Sequence, residues 1–220
     1  MSPRKAAALR AGDRSLREHL IATAERMMAE RGAAGLTVRA IAREAGVADG
    51  VLYNHFADKE ELLAHALRAR AESVASGLGP LPEPGTATIE ENLRAYVAHG
   101  LAAHNALLPA LAGLVAQPEV LARFSAMSGG AEDWRSRLAR YLRAERDLGR
   151  LAPGAPVDAA TSMIVGACHE PVLSVLFQGG ELAHRVPSDA VDGLVAVVLR
   201  GIARHEPHQE TRQESRQEPG

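Results

Sequence analysis

Residues 37–62 concentrate side chains that can hydrogen-bond to DNA, at the spacing of two short helices joined by a tight turn. Two apolar-periodic segments are separated by Gly46 and followed by Tyr53 and Phe56. Glycine readily adopts the positive φ that a sharp turn between helices requires. A helix-turn-helix uses such a pair to place its second helix in the major groove. The segment therefore predicts a DNA-binding surface.

The polar and small side chains along this segment are the candidates for DNA contact. They are Thr37, Arg39, Ala48, Asp49, Gly50, Val51, Tyr53, Asn54, His55 and Lys59. Hydroxyl, amide and cationic groups bind phosphate and position a protein, whereas contacts to base edges carry sequence information. Gly50 allows the backbone to approach DNA closely, and Val51 can meet a thymine methyl group.

Several of these candidates have an alternative role. Thr37 can serve only as the N-cap of its helix, Arg39 can be an ordinary exposed arginine, and Tyr53 can be a packing residue. Asp49 can cap the second helix or accept from a cytosine amino group. A carboxylate facing DNA otherwise repels phosphate, so Asp49 argues against high non-specific affinity.

A second group of polar and aromatic side chains lies among apolar helices further along the chain. Its members are Tyr96, His99, Trp134, Tyr141, Met163, Cys168 and His169. Small-molecule sites combine apolar walls with a few polar groups, so this group predicts a site for a modest, largely apolar ligand. Each residue can instead fill the core or lie at the surface.

Neither a metal site nor a cofactor nor a catalytic constellation is predicted. Cys168, His169 and Glu170 follow one another on a helix, where successive side chains point about 100° apart and cannot converge on one ion. His99 and His104 are five residues apart, a poor spacing for two ligands on one helix. The sequence shows none of the glycine-rich phosphate loops or nucleophile motifs that mark common enzymes.

The surrounding periodicity predicts an all-α chain of about nine helices, the first beginning near Ser15. We expect a basic arm over residues 1–13, disordered or reaching DNA, and a helix-turn-helix DNA-binding domain over 14–58. A helical ligand-binding and dimerisation domain should follow over 59–205. Residues 206–220 are polar and repetitive, a composition typical of a disordered tail.

Composition fits this division. Of the 220 residues only 3% are aromatic, which favours helices packed through Ala, Leu and Val. Residues 1–59 contain ten Lys or Arg and seven Asp or Glu, whereas residues 60–220 contain fifteen and twenty. A single cysteine and the lack of a hydrophobic leader predict a soluble, cytoplasmic protein with no membrane association.

The segment from Leu16 to Leu67 resembles the tetracycline-repressor (TetR) family of bacterial transcriptional regulators. The matching residues are Ala24, Gly32, Thr37, Ile41, Ala42, Ala45, Gly46, Val47, Gly50, Leu52, Tyr53, His55, Phe56, Lys59, Glu60 and Leu62. The resemblance implies a homodimer of nine-helix chains with a ligand cavity enclosed mainly by helices five to eight. It also implies repression that a small-molecule effector relieves.

The resemblance further assigns roles to particular positions. It implies that Tyr53 and Lys59 contact the DNA backbone and that Asn54 and His55 lie near it, while Ala48 departs from the Ser or Thr common in the family. It also implies a dimer interface on the last two helices. The apolar candidates there are Val172, Val175, Val191, Leu194, Val195, Val198, Leu199 and Ile202.

Together these features predict a dimeric, sequence-specific transcriptional regulator, most simply a repressor. Its partners should be a double-stranded DNA operator, expected to be palindromic, and a small, largely apolar effector. Two alternatives remain open from sequence. One is a DNA-binding regulator without an effector, and the other is an enzyme whose helix-turn-helix is only structural.

Overall fold

The chain folds into helices alone over its described residues. The computed structural model describes residues 3–127, 133–178 and 188–202, and within them not the side chains of 3–11, 188 and 202. The helices are α1 (Pro3–Arg31), α2 (Val38–Ala45), α3 (Asp49–Leu52), α4 (Lys59–Gly77), α5 (Ile89–Leu114), α6 (Pro118–Met127), α7 (Trp134–Asp147), α8 (Val157–Gln178) and α9 (Ser188–Ile202). The predicted all-α class is confirmed, and the predicted tail at 206–220 lies outside these residues.

The first helix begins earlier than the sequence indicated. α1 extends over 29 residues from Pro3, so Ser15 lies inside the helix and does not cap it. The disordered alternative for the arm over residues 1–13 is therefore corrected from Pro3 onward, whereas contact of this segment with DNA stays a prediction. Alanine is the strongest helix former, and proline is well tolerated in a first turn, which together explain the early start.

Local capping chemistry sets helix ends in the N-terminal head of the molecule, α1 to α3, and at the starts of α4 and α5. The side chains of Thr37 and Asp58 accept from backbone amides at the starts of α2 and α4, at 3.1 and 2.8 Å. Gly46 ends α2 with a φ of 72°. Thr88 and Glu91 form a reciprocal capping box at the start of α5. These starts and the glycine turn were predicted from the sequence, and they are confirmed.

Two hydrophobic cores divide the molecule, and the boundary between them does not follow residue 58. The first core joins α1, α2 and α3 to the first half of α4, and it also takes in Ala110, Leu114 and Val120. The second core joins the first half of α5 to α7, α8 and α9. α5 runs unbroken through Pro109 to Leu114 and contributes to both cores. Residues 106–114 therefore belong to α5, and α6 begins at Pro118.

A buried ion pair fixes the glycine- and proline-rich loop between α4 and α5. Glu145 is fully buried, and its carboxylate lies 3.1 Å from the Arg150 guanidinium and accepts from the Gly85 amide at 3.1 Å. Arg150 also donates to the carbonyl of Ala87 at 2.6 Å. Because a buried carboxylate is tolerated only when it is paired, this contact holds the loop firmly against α7.

Two helices of the second core are long and apolar. By length and composition alone, α5 and α8 could each cross a membrane, and 28% of the relevant stretch of each is buried. In this fold they pack against each other and against α9. Packing against these neighbouring helices therefore accounts for their apolar character.

Candidate DNA-binding surface and ligand-binding region

The segment predicted to read DNA forms a short helix extended by tight turns. α3 covers only Asp49–Leu52, but backbone bonds from Asn54 to Val51 and from His55 to Leu52, at 3.1 and 3.0 Å, continue the coil. These bonds span three residues rather than four, which is the tighter 3₁₀ pattern. Residues 49–55 therefore form a short rod, α-helical over Asp49–Leu52 and continued by tight turns to His55, whereas Ala48 is extended and precedes the helix.

Two buried anchors fix the orientation of this rod. Leu52 and Phe56 are 2% and 3% exposed and pack into the first core. The opposite side faces solvent, with Tyr53 60% exposed. Around Tyr53 the exposed candidates are Thr37, Arg39, Ala48, Asp49, Gly50 and Asn54, and the half-buried ones are Val51 and Lys59. The structure thus gathers these predicted residues on one accessible surface of the head.

His55 does not belong to that surface. Its side chain is only 5% exposed, and its Nδ1 lies 3.4 Å from a carboxylate oxygen of Asp13. The predicted DNA contact by His55 needs correction, because the ring points inward. His55 follows Leu52 by three residues, which in an α-helix or a 3₁₀ turn is the same side as that buried anchor. The partner Asp13 lies on the part of α1 that the sequence had suggested was an arm.

Opposite charges meet on this candidate DNA-binding surface. Arg39 donates through Nε to the Asp49 carboxylate at 3.2 Å, and the Arg39 side chain is 87% exposed. Exposed ion pairs contribute little to stability. The pair instead holds a cation that can contact phosphate beside a carboxylate that repels it.

Replacing Asp49 with asparagine should strengthen non-specific DNA binding. The change removes the repulsion between carboxylate and phosphate and frees Arg39, so we expect roughly tenfold tighter binding to duplexes of unrelated sequence at low salt. Fluorescence anisotropy on two unrelated duplexes over a range of salt concentrations would measure this. An Asp147→Asn variant, changed on α7, is the matched control and should bind as the parent does. Equal or weaker binding by Asp49→Asn would show that Asp49 does not face phosphate.

The residues predicted to bind a ligand separate into groups. Tyr96 and Tyr141 are buried and stacked, with ring centroids 4.5 Å apart. The Tyr96 hydroxyl donates to the Pro82 carbonyl at 3.4 Å. Cys168 is also fully buried, with its Sγ 3.9 Å from the Val97 carbonyl oxygen, and burial raises the pKa of its thiol to about 12. These three side chains build the second core.

Trp134 and His169 meet elsewhere, around His104 of α5. The His104 ring lies edge-on to both, with centroid distances of 5.1 Å to Trp134 and 4.5 Å to His169. The sequence analysis did not include His104 among the ligand candidates. Gly100, one helical turn before His104, could have indicated this contact, because a glycine in mid-helix leaves room for a large side chain. Here the Trp134 indole ring occupies that room.

The remaining two ligand candidates lie apart from these groups. His99 is half-buried, and a hydrogen bond with the backbone at Gly79 involves its side chain. Met163 is 52% exposed on the outer side of α8. The structure therefore does not bring Met163 to Tyr96 or Trp134, and its predicted place in a shared cavity needs correction.

Substituting Gly100 with alanine should lower the free energy of unfolding of the helical body of the chain, α5 to α9. A Cβ at this position would overlap three atoms of the Trp134 ring. Overpacking of this kind costs roughly 1–3 kcal/mol, which should appear as a lower urea midpoint. Gly201→Ala in α9 is the matched control, since a Cβ there meets no atom within 4 Å. A gain in stability for Gly100→Ala would contradict the observed seat of the indole.

The outer face of α8 and α9 differs from the predicted interface. Val172, Val195 and Val198 are at most 3% exposed and belong to their own chain's interior, so they cannot line a contact with a second chain. Val175, Val191, Leu194 and Leu199 are partly buried, and the Ile202 side chain lies outside the described residues. The side chains that do face outward include Met163, Val197 and Phe177, which are 52, 53 and 85% exposed. The sequence identified apolar residues on α8 and α9, but it did not distinguish those that face their own chain from those that face outward.

An ion pair joins α6 to the start of α4. Arg123 of α6 donates through both Nη atoms to Asp58, the second bond being 2.7 Å long. Asp58 is also the N-cap of α4, and it stands one residue before Lys59. The start of α4 is therefore held from the body by a two-pronged contact.

These features define a helix-turn-helix head joined to a larger helical body through α4 and α6. Residues 20–66 match the family described as bacterial regulatory proteins, tetR family. Over these residues the head is therefore similar to the DNA-binding part of TetR-family regulators.

Individual relatives are similar to the head in sequence and to most of the chain in fold. Over 54 residues, or 24% of this chain, it is 50% identical to the HTH-type transcriptional repressor KstR2 of Mycobacterium tuberculosis. That alignment spans only 27% of the relative's length. The structure of the ketosteroid transcriptional regulator KstR2 of the same organism aligns over 86% of this chain and 95% of its own, with 27% identity and a TM-score of 0.51. A Rhodococcus transcriptional regulator aligns over 86% and 99%, with 21% identity and a TM-score of 0.64.

Proposed function

We propose that the chain is a dimeric, cytoplasmic transcriptional repressor that binds a palindromic operator and that a small, largely apolar ligand releases. The observation that carries this proposal is the accessible surface around Tyr53. Hydroxyl, amide and cationic side chains lie there on and around α3 and the turns that follow it, a segment that Leu52 and Phe56 anchor in the core. Such a rod is what a major groove admits.

Selection of bound duplexes from a random pool tests the proposal. We expect an enriched sequence with two inverted half-sites about 10 base pairs apart centre to centre, or a multiple of that spacing, because dimeric helix-turn-helix proteins read the groove one turn apart. A variant carrying Tyr53→Ala should recover no such sequence. Enrichment of single, unpaired half-sites would refute dimeric readout, and no enrichment would refute operator binding.

The outer face of α8 and α9 supports the proposed dimer. Met163 and Val197 are exposed, and Gly166 and Gly193 lie in mid-helix on exposed positions. A Cβ at either glycine would meet no atom of this chain within 4 Å. Glycine in a helix is about 1 kcal/mol less favourable than alanine. Glycine at these positions would allow the helices of a second copy to approach closely.

The contact between Arg123 and Asp58 supports coupling between ligand and DNA. Asp58 starts the helix that holds Lys59, and Arg123 belongs to the body. A ligand that shifts α6 would therefore shift the start of α4 and the spacing of the two heads. A factor of ten in operator affinity requires only about 1.4 kcal/mol of difference between states.

Removing Arg123 should weaken the fold in a pH-dependent way. Its guanidinium, together with backbone amides, holds the pKa of Asp58 below its usual range. A lowered carboxyl pKa stabilises the folded state above the ordinary Asp pKa, and this contribution disappears as the pH falls through the lowered value. The urea midpoint of Arg123→Ala should lie below that of the parent near neutral pH, with a gap that narrows on acidification. Arg68→Ala, exposed elsewhere on α4, should show no such narrowing, and a constant gap for Arg123→Ala would contradict the pairing.

A further inference from the structure

The middle of α5 is accessible in an unusual pattern. Each of residues 103–109 is partly buried and partly exposed. A helix with one side on a core and the other in water would instead alternate between buried and exposed residues. This stretch lies between the residues that α5 gives to the second core, up to Leu101, and those it gives to the first, from Ala110. This stretch of α5 thus belongs wholly to neither core.

Polar groups converge at this position. His104 lies edge-on to Trp134 of α7 and to His169 of α8. Leu107 and Leu108 follow His104 on α5 by about one turn, Leu173 follows His169 on α8 likewise, and all three are half-exposed. Apolar walls with a few placed polar groups are the usual composition of a small-molecule site.

The hydrogen-bonding capacity of the group is specific. Nδ1 of His104 lies 2.5 Å from the Gly100 carbonyl and donates to it. A neutral ring then carries an acceptor at Nε2. The indole Nε1–H of Trp134 is buried and has no acceptor among the described residues. Buried donors are normally paired, so this N–H points to an acceptor that comes from outside the chain.

The group also discriminates by charge. Burial lowers the pKa of His104, and the neighbouring His169 lowers it further. The imidazole is therefore neutral at physiological pH and offers a carboxylate no cationic partner.

We propose that the effector of this regulator is an uncharged, mainly apolar molecule with a hydroxyl or ketone oxygen, bound at mid-α5 between His104, Trp134 and His169. The regulatory role of the ligand rests on the proposed function, whereas the site itself does not. The ligand oxygen accepts from Trp134 Nε1, and a hydroxyl also donates to His104 Nε2. The apolar remainder lies along Leu107 and Leu108.

Fluorescence tests the site directly, because Trp134 is the chain's single tryptophan. Three probes share one chain length and differ in the head group: n-octanol, methyl hexyl ketone and octanoate. Titrations at about pH 8, where imidazole is neutral, should give saturable changes for the alcohol and the ketone. The alcohol should bind roughly tenfold more tightly than the ketone because it makes one more hydrogen bond. Octanoate should bind most weakly.

Substitution at His104 sharpens the test. His104→Phe keeps an aromatic ring beside Trp134 but removes the acceptor, so the preference for alcohol over ketone should vanish while ketone binding stays. His104→Gln, which retains an acceptor, should keep part of the preference. His19→Phe, at an exposed position on α1, is the matched control and should behave as the parent. Should His104→Phe fail to fold, as circular dichroism would show, the order of the probes on the parent and on His104→Gln decides.

Several results would overturn the inference. They are no saturable response to any of the three probes, tightest binding of octanoate, or an unchanged alcohol preference in His104→Phe. Operator binding is measured separately by anisotropy on the selected duplex. Binding at Trp134 without release of the operator would leave the site standing and refute its role in regulation. Release of the operator by probes that leave Trp134 fluorescence unchanged would refute the site and leave the regulator standing.

Discussion

Tyr53→Phe should weaken operator binding by roughly a hundredfold. One phenolic hydrogen bond lost from each half-site is worth about 1.4 kcal/mol, and a dimer loses two. Tyr53 is 60% exposed, so its hydroxyl is free to meet phosphate and its removal leaves the packing of the head intact. Anisotropy titration of the selected operator at fixed salt would measure the change.

Lys59→Ala separates phosphate contact from base recognition. Removing one phosphate contact per head should lower the slope of log affinity against log salt by about 2 for the dimer. The order of preference among operator variants should remain the same. Arg68→Ala, on the exposed side of α4 and paired with Glu72 at 2.7 Å, removes the same charge away from the surface and should change neither slope nor affinity. An unchanged salt slope for Lys59→Ala, or an unchanged affinity for Tyr53→Phe, would place the DNA on another face.

The head could be predicted well because local rules dictate it. Thr37, Gly46 and Asp58 act within three or four residues of their own positions, through caps and a positive φ. The buried sides of α2 and α3 follow from helical periodicity. The same periodicity places His55, three residues after the buried Leu52, on the inner side; its predicted DNA contact came from the family resemblance and not from the pattern.

The body was harder to predict because its features depend on contacts between distant residues. Gly100 makes room for Trp134, 34 positions later in the sequence, and only the packed structure relates them. Likewise, Val195 and Val197 are both apolar and stand two residues apart, yet one is fully buried and the other 53% exposed. Hydrophobicity predicted a broad stripe on α9 but could not decide which side faces its own chain.

The glycines of the outer face lead to the prediction with the largest expected effect. Leucine at Gly166 or Gly193 should make α8 or α9 a better helix by several tenths of a kcal/mol, since leucine exceeds glycine in propensity. A Cβ at either position meets nothing in this chain within 4 Å. The same side chain would stand between two closely packed copies. Each variant should therefore be folded, at least as resistant to urea as the parent at concentrations where both are monomeric, and impaired in dimer formation.

Loss of the dimer should in turn weaken operator binding by roughly a hundredfold or more, because linking two heads makes the second contact effectively intramolecular. Sedimentation velocity would measure the oligomeric state, and anisotropy would measure binding to full operators and to half-sites. Half-site binding should be unchanged, since α3 is untouched. Gly12→Leu on α1, another exposed mid-helix glycine with no atom near its Cβ position, should remain dimeric. Gly166→Leu and Gly193→Leu proteins that both remain dimers would exclude this face as the interface, and the two heads would then need another way to be joined.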